Sequence, residues 1–129
     1  MRIQITKNFY LDEFTCKDKS DISVKVFNNI LKLATQLQII RDNAMASITI
    51  NSAYRSPKYN KKIGGASKSK HMLGKAADIT ITGMTPDETA DFIEDLLADG
   101  DIVIGGLGRY NSFTHVDIRK KTARWDERK

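Results

Sequence analysis

Residues 69–78 have the sequence SKHMLGKAAD, in which a polar loop gives way to an apolar strand. The run from Ala76 to Thr82 is short, largely apolar and partly β-branched, which is typical of a strand. His71 therefore precedes this strand, and Asp78 lies near its beginning. Because a strand holds its side chains at fixed positions, this stretch determines where the side chains of His71 and Asp78 lie relative to a sheet.

The segments on either side predict helices and further strands. Apolar residues recur at three- and four-residue steps between Ser23 and Asn43, which predicts an amphipathic helix. Thr85, Pro86 and Glu88 form the start of a second long helix, with a capping residue, a proline in the first turn and a capping box. We therefore expect an α+β fold with a small, mostly antiparallel sheet packed against helices. The other expected features are a strand at 47–52, a short helix at 57–62, the end of the second long helix near Ala98, a short strand at 102–104, flexible glycine backbone at 105–108 and a strand at 114–119.

Length and composition predict a single domain over residues 1–129. Apolar residues make up 40% of the chain and charged residues 29%, an ordinary balance for a globular protein. No stretch of about 18 apolar residues is present, so we expect no transmembrane segment. Residues 1–14 contain no continuous apolar segment, so we expect no signal peptide and synthesis in the cytoplasm. Cys16 is the only cysteine, which excludes an internal disulfide and a multi-cysteine zinc site, and we expect it to be a small buried apolar residue.

The formal net charge is +5, and the basic residues are scattered along the chain. A basic surface attracts polyanions, but no sequence signature of a nucleic-acid-binding domain accompanies this charge. We interpret the charge mainly as a contribution to solubility, with attraction to anionic polymers as a secondary role. Local basic groups occur at 61–62, 68–70 and 119–121.

The chain has two histidines, His71 and His115, and each lies in polar surroundings beside a predicted strand. A catalytic zinc takes about three protein ligands and keeps one position open, and imidazole and carboxylate both suit it. If the two strands are neighbours, both histidines and Asp78 can converge. On spacing alone, however, the simpler interpretation is two surface or hydrogen-bonded histidines. Period-two alternation places Phe113, His115, Asp117 and Arg119 on one face of the last strand, and Val116 and Ile118 in the core.

Several motifs, in order along nearly the whole chain, resemble one known family. The Ser-x-His-x-x-x-x-x-x-Asp pattern of residues 69–78, with Gly74 and Ala76 inside it, resembles the first zinc signature of the D-Ala-D-Ala carboxypeptidase family. His115-Val116-Asp117 is similar to the second signature. This family includes the vancomycin-resistance dipeptidases and the phage L-alanyl-D-glutamate endolysins, and its metal-site fold is shared with the Hedgehog signalling domain. Further similarity lies at 52–57 with Asn60, at 105–110, at 123–125 and at 9–16, where the chain resembles the compact phage and prophage branch.

The resemblance implies one zinc ion held by His71, Asp78 and His115. It also implies that Arg55 is an electrophilic partner that binds a carboxylate or carbonyl oxygen of the substrate, although a surface arginine paired with an acid is the alternative. Ser69 either binds the substrate or orders its own loop. Tyr54, Tyr110 and Trp125 are candidates for the lining of the cleft, although each is more often simply a core or rim aromatic residue.

The role of general base has more than one candidate, because Ser112 stands where many relatives carry a carboxylate. Asp117 is the best replacement, since alternation places it on the strand face that carries His115. Asp117 could equally orient a histidine as an outer partner of the metal, or pair with an arginine. The candidate arginines are Arg55 and Arg119, and more distant acids are Asp99 and Asp101.

Taken together, the resemblance implies a zinc-dependent peptidase that hydrolyses peptidoglycan stem peptides. The bond is either D-Ala-D-Ala, as in a carboxypeptidase, or L-Ala-D-Glu, as in an endopeptidase. The small size and the expected lack of a signal peptide favour a monomeric phage or prophage endolysin that reaches the cell wall through a holin or in a virion. A catalytically weak zinc-containing module that binds the cell wall is the alternative, because of Ser112. A nucleic-acid-binding domain is a third hypothesis, and we expect no nucleic-acid partner.

Overall fold

The computed structural model describes residues 2–129, so Met1 of the expected domain lies outside the described residues. The described chain forms an α+β fold, as the sequence predicted. Two short 3-10 turns, Leu11–Glu13 and Lys70–Leu73, accompany the longer elements. The helices are α1 (Val24–Ala44), α2 (Pro57–Lys62) and α3 (Pro86–Ala98), and the strands are β1 (Ile48–Ser52), β2 (Ala76–Ile81), β3 (Gly106–Arg109), β4 (Thr114–Asp117) and β5 (Ala123–Asp126).

The five strands form one sheet in the order β1-β2-β4-β3-β5. All neighbouring pairs are antiparallel except β3 and β5, which run parallel, so the sheet is mixed and mostly antiparallel. The central strands β2 and β4 are direct neighbours, and Asp78 pairs with His115 in their register. The two halves of the candidate metal site are thus adjacent in the middle of the sheet.

Helix α1 covers one face of the sheet with the apolar stripe that its sequence predicted. Its inward side chains are fully buried, as are Ile79 of β2, Leu107 of β3 and Val116 of β4. Ser23 caps α1, and Thr85 begins α3 with the capping box that its sequence predicted. No helix among residues 2–129 has the length and apolar character needed to cross a membrane.

One strand prediction near the end of the chain was wrong, and two strands there were not predicted. Residues 102–104 form no strand, although Ile102 and Ile104 are buried in the core. The glycine segment expected to be flexible, 105–108, overlaps β3, and β5 was not predicted at all. A glycine-rich sequence has low intrinsic strand propensity. Here Gly106 and Gly108 are required because a Cβ atom would collide with the Asp117 carboxylate and the Trp125 ring, respectively.

Candidate metal centre

Three buried side chains converge where β2 and β4 pair. The Nε2 atom of His71 lies 3.3 Å from Oδ1 of Asp78, and the same oxygen lies 3.0 Å from Nδ1 of His115. One potential ligand atom from each residue lies within 4.8 Å of the other two. All three residues are at most 7% exposed. The sequence separates them by up to 44 positions, and the sheet brings them together.

Each histidine has its second ring nitrogen fixed by a separate acceptor. Nδ1 of His71 lies 2.7 Å from the Ala53 carbonyl oxygen, and Nε2 of His115 lies 2.8 Å from Oδ2 of Asp117. An imidazole that donates from one nitrogen presents a lone pair on the other. His71 therefore offers Nε2, and His115 offers Nδ1, to the space beside Asp78.

The carboxylate of Asp78 divides its two oxygens between different partners. Oδ1 faces both histidines, while Oδ2 accepts a hydrogen bond of 3.2 Å from Nη2 of Arg55. Burial by itself would raise the pKa of Asp78, but its contacts with the imidazoles of His115 and His71 outweigh burial and lower this pKa to about 2. Asp78 is therefore a carboxylate at neutral pH, with one oxygen turned toward the imidazoles.

The donor set fits a zinc ion. Two imidazole nitrogens and one carboxylate oxygen are the ligands of many catalytic zinc sites, which leave one position for water or substrate. Burial would lower the pKa of His115, but hydrogen bonds with Asp117 and Asp78 raise it. Two carboxylates on one buried imidazole thus favour a positive charge at this point, which a divalent cation supplies. Among residues 2–129, His71, Asp78 and His115 form the one such group of potential ligands.

The loop that carries His71 is held at both ends. Ser69 caps the 3-10 turn, since its Oγ accepts a hydrogen bond of 3.1 Å from the His71 amide. Gly74 ends the turn at φ 73°, a left-handed conformation that glycine adopts without strain. The Arg55 amide donates to the His71 carbonyl over 3.0 Å. Ser69 thus orders its loop, one of the two roles that the sequence left open.

A cavity of about 520 Å³ opens above the three side chains. Among the residues that the structure describes, Asp78 is the single acidic one that lines it, whereas Arg55, Lys68, Lys70 and Arg119 line it with positive charge. The stacked rings of Tyr110 and Phe113, 4.4 Å apart, form part of one wall together with Trp125. The cavity therefore combines a metal-binding floor with cationic and aromatic walls, which suits an anionic substrate.

A family model described as Peptidase M15 matches residues 7–117. The match includes all three candidate ligands and most of the sheet. The chain belongs to the peptidase M15 family. M15 proteins are zinc-dependent peptidases, so the family indicates a metallopeptidase. The match confirms the resemblance to this family that the sequence motifs showed. No curated protein matches the chain.

The other site residues predicted for this M15 protein occupy different environments. Arg55 and Ser69 line the cavity, as do Tyr110 and Trp125. Tyr54 does not line it, because its side chain packs in the hydrophobic core and is 9% exposed. The placement of Tyr54 therefore differs from the expected contact with substrate.

The acids weighed as the M15 general base also differ in position. Asp117 is fully buried beneath His115 and is bonded to Arg119 as well. Ser112 is exposed in the bend before β4, and the exposed residues Asp99 and Asp101 lie just after α3, outside the cavity lining. The contacts of Asp117 match the orienting role that the sequence left open beside the role of base.

Two features of the M15 site were not identified from sequence. The carbonyl of Ala53 fixes the ring of His71, and no side-chain pattern predicts a backbone acceptor. Phe113 forms part of the cavity wall by stacking on Tyr110. The sequence could have predicted this position of Phe113, because period-two alternation places Phe113 on the strand face that carries His115.

Proposed function

We propose that this M15 family member is a single-domain enzyme that hydrolyses a peptide bond in peptidoglycan stem peptides, with one zinc ion held by His71, Asp78 and His115. The observation that carries this proposal is the convergence of Nε2, Oδ1 and Nδ1 of these residues within 4.8 Å on the floor of a cationic cavity. Family membership supports the peptidase chemistry, and the charge of the cavity supports the substrate class.

When bound, zinc polarises the scissile carbonyl and activates water for attack near neutral pH. Arg55 supplies the second electrophilic group in our proposal. Its Nη2 donates to Asp78 and its Nε donates to Ser52 over 3.2 Å, and these bonds fix the guanidinium at the cavity wall. A guanidinium held in this way can donate to a substrate oxygen as negative charge develops on it.

The walls of the cavity suit a stem peptide. Stem peptides carry free carboxylates, and Lys68, Lys70 and Arg119 offer cations around the opening. The Tyr110 ring is fixed by the hydrogen bond of 2.9 Å that Nε1 of Trp125 donates to its hydroxyl. A rigid aromatic wall and several cations can together hold a short acidic peptide with its backbone over the metal site.

We propose that Asp117 acts through His115 rather than as the general base. Its Oδ2 accepts from His115, and Arg119 donates to both carboxylate oxygens over 2.7 Å. Hydrogen bonds from His115 and Arg119 outweigh the effect of burial and keep the pKa of Asp117 well below its usual range. A carboxylate so engaged is a poor acceptor for a proton from water.

The proposal covers two bonds, D-Ala-D-Ala and L-Ala-D-Glu, and a phage or prophage origin. The support for this origin is the resemblance of residues 9–16 to the compact branch of the family. Delivery to the cell wall through a holin or in a virion, with the protein acting as a monomer, belongs to the same proposal.

Cleavage of each of the two candidate peptide bonds leaves a different product, so the products identify the activity.

The experiment is digestion of purified sacculi by zinc-loaded protein, followed by assay of new amino groups and mass spectrometry of the muropeptides. We expect release of terminal D-Ala or of a new D-Glu amino terminus. Chelation should abolish the release, and added zinc should restore it. Intact muropeptides after incubation with a zinc-loaded, folded protein would refute the enzymatic proposal.

A second candidate function is a zinc-containing module that binds the cell wall without cleaving it. The observation that favours it is the absence of any acidic residue other than Asp78 from the cavity lining within residues 2–129. The same incubation separates the two functions. Co-sedimentation with sacculi without new amino groups supports the module, and release of amino groups supports the peptidase.

A further inference from the structure

The side of His115 that faces away from Asp78 is closed by a chain of two further side chains, Asp117 and Arg119. We propose that Arg119 is a positioning residue for the metal site: its guanidinium locks Asp117, and Asp117 turns Nδ1 of His115 toward Asp78. This inference rests on the proposed zinc site. It assigns to Arg119 an effect on zinc affinity, beyond any contact with substrate.

Arg119 grips the carboxylate of Asp117 at two points. Nε donates to Oδ1 and Nη2 donates to Oδ2, each over 2.7 Å, and the Arg119 amide donates to Oδ1 over 3.1 Å. Two parallel bonds between a guanidinium and a carboxylate fix the plane of the carboxylate as well as its position. The Asp117 carboxylate therefore cannot rotate without breaking these hydrogen bonds.

The fixed carboxylate determines the orientation of the imidazole. Oδ2 of Asp117 lies 2.8 Å from Nε2 of His115, so it accepts the ring proton at that nitrogen. The lone pair of Nδ1 then points to Oδ1 of Asp78, 3.0 Å away. Both ring nitrogens of His115 face a carboxylate oxygen, and the shorter contact, 2.8 Å to Asp117 against 3.0 Å to Asp78, favours the proton on Nε2.

Neighbouring residues restrict the conformations that the side chains of His115, Asp117 and Arg119 can adopt. Asp117 packs against Gly106 of β3, where a Cβ atom would collide with the carboxylate. The ring of Trp125 lies against both His115 and Arg119. Its centre is 4.9 Å from the centre of the His115 ring and 5.2 Å from Cζ of Arg119. Arg119 itself is 28% exposed and reaches the cavity.

Because Arg119 also lines the cavity, its two possible roles must be separated. A residue that only binds substrate changes KM and leaves zinc affinity unchanged. A residue that orients His115 changes zinc affinity in the absence of any substrate. Loss of a partner behind a metal ligand typically lowers metal affinity by about 10- to 100-fold.

The test is the zinc dissociation constant, measured by competition with a chelator, for the wild type, Arg119→Gln and Arg119→Lys. We expect a loss of about 10- to 100-fold in affinity for both variants, since lysine keeps the charge but lacks the planar fork. Arg109→Gln is the matched control. It removes a similarly exposed arginine that pairs with Asp87 and Asp91, away from the cavity, and should retain wild-type affinity.

A second measurement reports the orientation directly. Long-range proton–nitrogen spectra of the metal-free protein, above the titration range of the imidazoles, show which nitrogen of each histidine carries the proton. With two histidines in the chain, His71→Gln assigns the signals. We expect His115 to be protonated at Nε2 in the wild type and to become a mixture of tautomers in Arg119→Gln.

The outcomes separate the inference from the function on which it rests. A wild-type protein without zinc affinity refutes the proposed zinc site. Zinc binding that is unchanged in folded Arg119→Gln and Arg119→Lys, with a single unaltered tautomer of His115, refutes the role of Arg119 and leaves the site intact. If Arg119→Gln does not fold, Arg119→Lys alone decides between these outcomes.

Discussion

Oδ1 of Asp78 lies 3.0 Å from Nδ1 of His115, across a direct residue pair of the antiparallel strands β2 and β4. Side chains of paired residues lie on the same face of a sheet. A register slip of one residue would turn one of them toward the core and destroy the contact. The site therefore depends on the apolar residues that fix this register, such as Ile79 and Val116, which are fully buried.

Asp78→Asn should abolish stoichiometric zinc binding. The change removes the negative charge and places an amide between the imidazoles, so we expect zinc affinity to fall by more than the roughly 100-fold that follows the loss of an outer partner. Zinc content after dialysis, measured by mass spectrometry, checks this. Asp99→Asn is the control, because Asp99 is exposed beyond α3 and should not affect zinc. Full zinc occupancy in a folded Asp78→Asn protein would remove Asp78 from the site.

Asp117→Asn distinguishes the two roles considered for Asp117. As a positioning residue, Asp117 should affect zinc affinity, with a loss of about 10- to 100-fold on substitution, while zinc-saturated turnover is largely retained. As a general base, it should leave zinc bound while kcat falls by about 10²- to 10⁴-fold. Zinc competition and kcat measured at saturating zinc check both. The second pattern would contradict our assignment.

Arg55→Lys should lower kcat/KM by about 10²-fold at saturating zinc. Lysine keeps the charge but cannot donate to Asp78, Ser52 and a substrate oxygen from one planar group. Muropeptide digestion rates give the value. Lys61→Ala serves as the comparison, because Lys61 is exposed outside the cavity lining and its rate should match the wild type. An unchanged rate in Arg55→Lys would show that charge alone is sufficient.

Gly108→Ala should lower the free energy of unfolding by about 1–3 kcal/mol. The added methyl group would collide with the ring of Trp125, which packs on Gly108 between β3 and β5. Urea unfolding measures the loss. The same substitution in a Trp125→Leu background should have a smaller effect, since the colliding ring is gone. Equal effects in the two backgrounds would show that the close contact does not limit stability.

Asp18→Asn should change how stability depends on pH. Hydrogen bonds from Ser20 and Ser56 hold the pKa of Asp18 well below its usual value of 3.8. A group whose folded pKa is lowered stabilises the protein above its unfolded pKa, and this contribution is lost as the pH falls through the folded value. The stability difference between wild type and Asp18→Asn should therefore shrink below about pH 4. Urea unfolding at several pH values tests this, and a constant difference would contradict it.

Helices were easier to predict than the later strands. The bounds of α1 and α3 follow from periodicity and capping residues, which act over a few neighbouring positions. The strand β3 was not predicted, because glycine has low strand propensity. Its glycines are required by close contacts with Asp117 and Trp125, which lie further along the sequence. The sequence left the position of Tyr54 open between the cleft and the core, because an aromatic residue in a motif can face either, and packing decides which.

The sequence by itself determined the three helices, the strands β1, β2 and β4 and the α+β class, because local propensity is a property of nearby residues. The candidate ligands followed from the resemblance of its motifs to one family. Only the tertiary structure decided which nitrogen each histidine presents, that Arg55 holds Asp78, and that Arg119 lies behind Asp117. These relationships depend on distances of about 3 Å between residues from different strands and loops, where hydrogen bonds form. Strand register and core packing set such distances, and neither is written in a short stretch of chain.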